Sequence, residues 1–244
     1  MDAYKQQITS DAEALLQSGI AQRMEHMQQL LTTKFATRQP SAVRQSIEAA
    51  VRAQLPGSVT AHGDLTTLVT AVSDHVELAL VDMQKLAQWI SLLVPKVGDG
   101  NNFGVEVQLI TLKEIKDTIE KLQKAWDSLP DYHSQRAAVV EKISDKPSKE
   151  KSVTTTVTEA QGGKDGDEKK SVVASVDKTA TTSSGLVEDW LVNAVAIDVK
   201  WYFNLARLLE TVRDAYAIVY DRIDKNKDKI LKPRGTERSN YSMY

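Results

Sequence analysis

Side chains that commonly do chemistry are thinly spread along these 244 residues. There is no Cys, which removes thiolate nucleophiles, thiolate metal sites and disulfides together. His26, His62, His75 and His133 are scattered, with no His-Glu-x-x-His pair and no carboxylate–histidine cluster at ligand spacing. No Walker lysine motif and no nucleophile elbow occurs. Two stretches imitate the start of a calcium loop, Asp99-x-Asn101 and Asp224-x-Asn226-x-Asp228. In the first, Phe103 takes a ligand position and Ile110 falls where a bidentate Glu belongs. In the second, Lys229 replaces the turn glycine and Gly235 replaces the Glu. Spacing therefore supports no catalytic residue, no metal and no cofactor, and the chain reads as a non-enzyme.

One stretch is out of the ordinary: residues 95–105, PKVGDGNNFGV. Pro95 cannot donate to a helix ladder, and Gly98, Gly100, Asn101 and Asn102 tolerate positive φ. Such residues favour a tight connection between antiparallel helices. The stretch is richer than a connector needs, because Phe103 is a large apolar side chain at what should be an exposed tip. It is not a dinucleotide fingerprint, since the glycine spacing is wrong and a helical pattern precedes it.

The elements that hold this stretch are long and helical. Apolar residues recur at helical spacing from about residue 4 to 35, through Tyr4, Ile8, Leu15, Leu16, Ile20, Met24, Met27, Leu30 and Leu31. Pro40-Ser41 starts a short helix over Val43 to Leu55, and Pro56-Gly57 stops it. A second long stripe runs from Leu65 to Val94; thirty residues at helical rise span roughly 45 Å, which calls for equally long partners. A third stripe follows Val105 through Leu109, Leu112, Ile115, Ile119, Leu122 and Trp126. Pro130 breaks it, and it resumes through Tyr132, Arg136, Val139, Val140 and Ile143. The last stripe runs from Leu186 to about Leu231, and Pro233 ends it.

Residues 146–185 differ in kind, with mixed charge, Thr and Ser runs and few large apolar side chains, the composition of a disordered polar insertion. Residues 234–244 form a polar tail that closes on Ser242, Met243 and Tyr244. Four long helices predict an all-α, up-down-up-down four-helix bundle in one domain over 1–244. In that topology the 95–105 connection, the N-terminus and the tail share one end, and the polar insertion lies at the other.

Composition narrows the partners. A formal charge of −2 argues against nucleic acid, and Lys225, Lys227, Lys229 and Lys232 suit a helix C-terminus. No run approaches the roughly 20 apolar residues of a membrane span. The first residues lack an apolar leader segment, so Asn240-Tyr241-Ser242 is not read as a glycosylation site and the expected location is the nucleus or cytoplasm.

The run Asp99, Gly100, Asn101, Asn102, Phe103, Gly104 and Val105, followed by Val107-Gln108, closely resembles the activation loop of the 11S (REG) proteasome activators, mammalian type. The resemblance recurs at Arg136-Ala137-x-Val139-Val140-x-Lys142-Ile143, at Ile230-Leu231-Lys232-Pro233-Arg234 and at the aromatic last residue, Tyr244. It implies a heptameric ring, here a homoheptamer, that opens the gate of the core proteasome without ATP. Asp99, Gly100, Asn101, Asn102, Phe103 and Gly104 would be the activation loop that presses on the proteasome α-subunit ring. Ser242, Met243 and Tyr244 would be the tail that inserts between α subunits. Gly98 stands where the mammalian-type loop has an acidic residue, and the 146–185 insertion is longer than the usual connector. The alternative is a structural or scaffold bundle whose loop has no gate-opening activity.

Overall fold

The computed structural model describes residues 1–54, 63–98, 100–144 and 184–234, and among them every regular element is helical. The first rod is α1, Asp2–Ala14, which passes through a π-helical turn, Leu15–Gly19, into α2, Ile20–Lys34. The backbone stays right-handed helical at Ala14, Gly19 and Ile20, so the rod is continuous. It buries Ile8, Ala12, Leu15, Ile20, Met27 and Leu31, and Phe35 closes it from inside the core. Pro40 opens α3, Pro40–Arg52, whose Val43, Ile47 and Val51 recur every fourth residue on its buried face.

α4, Gly63–Leu93, is apolar on two sides because it packs against α1, α5 and α7 at once. α5, Phe103–Ser128, ends before Pro130, and α6, Asp131–Ser144, carries the rod onward. α7, Ser184–Lys225, is the central staff, in contact with α2, α3, α4, α5 and α6. It breaks at Asn226, whose side-chain amide donates to the Arg222 carbonyl at 2.8 Å, and α8, Lys227–Leu231, follows. The last rod is thus a helix and a separate short turn, not the single run expected to Leu231.

The helical bundle expected from periodicity is the observed fold. Three inward assignments fail: Tyr4 is 50% exposed, Leu109 54% exposed and Trp126 39% exposed. The buried face of α5 is instead Gly104, Gln108, Thr111, Leu112, Ile115 and Leu122. α4 and α8 both pack on α5, and Gln108 bonds to the last turn of each, so the inward stripe near the start of α5 runs through small and polar residues. The expected insertion at 146–185 lies outside the described residues except at its last two positions.

Two buried carboxylates tie the rods together. Asp82 on α4 accepts from the Tyr216 hydroxyl of α7 at 2.7 Å and from Arg23 Nε of α2 at 3.3 Å. Asp198 on α7 accepts from Arg136 Nε at 3.0 and 3.2 Å and from the Tyr132 hydroxyl at 3.1 Å, both on α6. Burial, joined by the neighbouring carboxylate, pushes both phenols well above their ordinary range, so they remain donors. Breaking a buried pair from one side strands the other charge. Asp198→Ala should therefore cost about 3–5 kcal/mol in denaturant unfolding, because Arg136 is left inside without its acceptor.

A second prediction concerns acid. His75 on α4 faces His26 on α2 edge-on, with ring centroids 5.8 Å apart. Burial and then the His26 and Arg23 charges hold its pKa below the ordinary value, with Asp74 opposing. The unfolded chain therefore takes up this proton first as pH falls, and the native state loses stability once pH drops below about 6.5. His75→Gln should flatten that part of the stability–pH curve, measured by thermal unfolding between neutral and mildly acidic pH.

Candidate functional site

The end of the bundle that carries the 94–102 connection is assembled from four chain segments. α4 finishes at Leu93, and the chain turns through Gly100 at φ 118°, a value that favours glycine. The Asn101 side-chain oxygen then accepts from the Phe103 N–H at 3.0 Å, an Asx turn that launches α5. Asn102 is the N-cap residue of α5, and its carbonyl accepts from the Glu106 N–H at 3.0 Å. Asp99 lies outside the described residues.

The root of the last rod seals this end. The amide nitrogen of Gln108, fully buried, donates to the Ile230 carbonyl at 2.7 Å and to the Leu93 carbonyl at 3.2 Å. Those oxygens belong to the last turns of α8 and α4, where helical partners run out, so one side chain caps two helix ends. Gly104, one turn earlier, lies against the backbone of Pro233; a Cβ there would come within 2.2 Å of the Pro233 carbonyl oxygen. Arg234 Nη2 donates to the Lys96 carbonyl at 2.7 Å, and its Nη1 sits 3.0 Å from where a Cβ on Gly98 would be.

Apolar surface surrounds this seam. Phe103 is 60% exposed, Val97 is fully exposed, and with Val94, Pro95, Val105 and Leu109 they line an open trough of about 650 Å³. Lys229 Nζ lies 5.9 Å from the centroid of the Phe103 ring. Phe103 and Val97 thus place apolar surface in solvent at a loop tip that Asn101 caps and Arg234 braces.

Of the expected site residues, Gly100, Asn101, Asn102, Phe103 and Gly104 stand together at this end. Ser242, Met243 and Tyr244 lie outside the described residues, and of the tail over 234–244 only Arg234 lies within them. The bracing roles of Gln108, Lys96 and Arg234 were not anticipated. The signal was present for Gln108, which stands four residues from both Gly104 and Leu112 and so falls on the buried face. Among the described residues, no group of three or more His, Asp or Glu could hold a metal, and no helix is long and apolar enough to cross a membrane.

Long antiparallel rods with a braced, apolar-tipped loop at one end define the class: a helical bundle with one elaborated end. The comparisons make that class specific: residues 1–52 match the family described as Proteasome activator PA28, N-terminal, and residues 58–161 and 168–240 match Proteasome activator PA28, C-terminal. The chain belongs to the PA28 proteasome activator family. The Proteasome activator complex subunit 3 of Homo sapiens and that of Gallus gallus are each 24% identical to it over 180 residues, 74% of this chain. That match spans 56% of the length of those relatives. The fold is similar to the 11S subunit, PA28, of the Plasmodium falciparum proteasome, with TM-score 0.64, 18% identity and coverage of 96% and 92% of the two chains. It is also similar to a chain of an archaeal 20S proteasome–PA26 complex, with TM-score 0.59, 14% identity and coverage of 100% and 99%.

The close approach at Gly104 yields a direct test. Gly104→Ala places a methyl group against backbone that has no rotamer to yield, so Pro233 must move away from α5. The variant should lose about 1–3 kcal/mol of stability by overpacking, read in denaturant unfolding. Amide exchange should quicken at the end of α8 while the far end of the bundle is unchanged.

Proposed function

We propose that this chain is a subunit of a homoheptameric, ATP-independent activator of the core proteasome. It docks on the α-subunit ring through Ser242, Met243 and Tyr244 and opens the gate with the loop Asp99, Gly100, Asn101, Asn102, Phe103 and Gly104. The observation that carries this reading is the seam itself, where Pro233 and Arg234, from which the tail departs, lie against both ends of the loop. A partner gripped by the tail therefore meets the loop on the same end. Membership of the PA28 family supports the proteasome as that partner.

The division of labour follows from chemistry. The tail supplies affinity, because a weak contact repeated by every subunit of a ring gains avidity. The loop supplies activation, because Phe103 and Asn102 sit at the exposed tip. The protein acts as a regulator of the peptidase and performs no bond cleavage, in the nucleus or the cytoplasm.

The test is hydrolysis of short fluorogenic peptides by latent core proteasome, without ATP, with and without this protein. The rate should rise. Removing Met243 and Tyr244 should weaken half-maximal activation by about 10²–10⁴-fold, as the linked contacts are lost. Asn102→Tyr should leave binding intact, measured by co-sedimentation, while activation collapses. A folded ring that binds the cognate proteasome and leaves its rate unchanged would overturn gate opening.

A further inference from the structure

The connection between α4 and α5 is tied to the rest of the chain at few points. Its own bonds are local: Asn101 to the Phe103 N–H, and a long 3.5 Å contact from the Asn102 amide to the Gly98 carbonyl. Val97 and Phe103 are exposed, so neither side chain anchors the tip in the core. Among the described residues, the hydrogen bond that reaches the backbone of residues 94–102 from a distant part of the chain is that of Arg234 to the Lys96 carbonyl. The guanidinium then lies over Gly98, where even a methyl group would press on it at 3.0 Å.

We propose that Arg234 is a positioning residue that latches the activation loop to the root of the proteasome-binding tail, and that Gly98 is kept free of a side chain to admit it. This rests on the activator reading above and concerns how its two contact elements act together. Arg234 is charged and forked, so it holds the carbonyl with a charge-assisted bond while its second nitrogen covers Gly98. The adjoining Gly104–Pro233 contact and the Gln108 bridge fix the peptide from which Arg234 projects. Loop and tail root are thereby presented as one preorganised unit, and the loop needs no ordering step once the tail is seated. Loss of the latch lowers the share of time the loop is placed, and with it the activation plateau. Affinity, carried by the tail's last residues, is spared.

The test uses the full-length ring with core proteasome and a fluorogenic peptide, comparing Arg234→Ala, Arg234→Lys, Gly98→Ala and the Gly98→Ala/Arg234→Ala double variant. Arg234→Ala should lower the plateau by about 3- to 10-fold, as expected for the net worth of one solvent-exposed hydrogen bond, while the half-maximal activator concentration stays within about 2-fold. Arg234→Lys should fall between Arg234→Ala and the parent. Gly98→Ala should lower the plateau in the parent and add nothing in the Arg234→Ala background, since the methyl group then meets no guanidinium. A readout without proteasome runs beside these: trypsin should cut the Lys96–Val97 bond faster in Arg234→Ala, at unchanged thermal stability. An unchanged plateau, a shift confined to half-maximal concentration, additive effects of the two substitutions, or unchanged cleavage at Lys96–Val97 would each overturn the latch. Absence of any activation by the parent would instead overturn the activator reading, and the cleavage rates would still decide the latch.

Discussion

One buried amide group holds together the end of this bundle that carries the 94–102 connection. Gln108 spends its nitrogen on two carbonyls, Leu93 and Ile230, that sit where α4 and α8 run out of helical partners. Without it, two orphan acceptors would face the interior where three elements converge, at a cost of about 1–3 kcal/mol each. The bridge can form only because α5 and α8 approach closely, and that approach is possible only because residue 104 has no side chain. Gly104 and Gln108 are successive positions on one helix face. Their combination makes the loop's end, the tail's root and the last turn of α4 a single packed junction.

The rest of the molecule delivers those three ends to one place. Each rod is long, and α7 touches nearly all the others, so a shift of one rod along its axis would displace its end from the junction. Apolar stripes alone resist such sliding weakly, since one Leu or Val can replace another one turn along. The buried carboxylates resist it well, because Asp82 accepts from Tyr216 and Arg23 at one level and Asp198 from Tyr132 and Arg136 at another. A one-turn slip would strand a charge at either level. These pairs set register, and register sets where the loop stands relative to Pro233 and Arg234.

The exposed residues at the junction make sense against this rigidity. Phe103 and Val97 are held outward on a backbone that is capped, braced and turned by Gly100. A side chain that is apolar, exposed and ordered from below loses little freedom on contact with a partner. The polar residues between them, Asn101 and Asn102, are engaged in building the turn and the first helical hydrogen bond of α5.

Much of this was readable from the chain alone. Period and length dictated long helices, because stripes at Leu65 to Val94 or Trp190 to Ile223 leave no other way to bury a continuous apolar face. The breakers Pro40, Pro130 and the 95–105 run dictated where those helices begin or break, since Pro and positive-φ residues act locally. The loop's turn chemistry was legible for the same reason, since it is written in consecutive residues. What a single chain could not disclose was which side of α5 faces in. Leu109 and Trp126 fit a helical stripe as well as Gln108 and Thr111 do, and only the arrival of α4 and α8 on α5 decided between them. The contacts of Arg234 with Lys96 and Gly98, and of Pro233 with Gly104, join positions more than a hundred residues apart. No periodicity records such a meeting, because it depends on the summed lengths and register of every rod between, which packing alone determines.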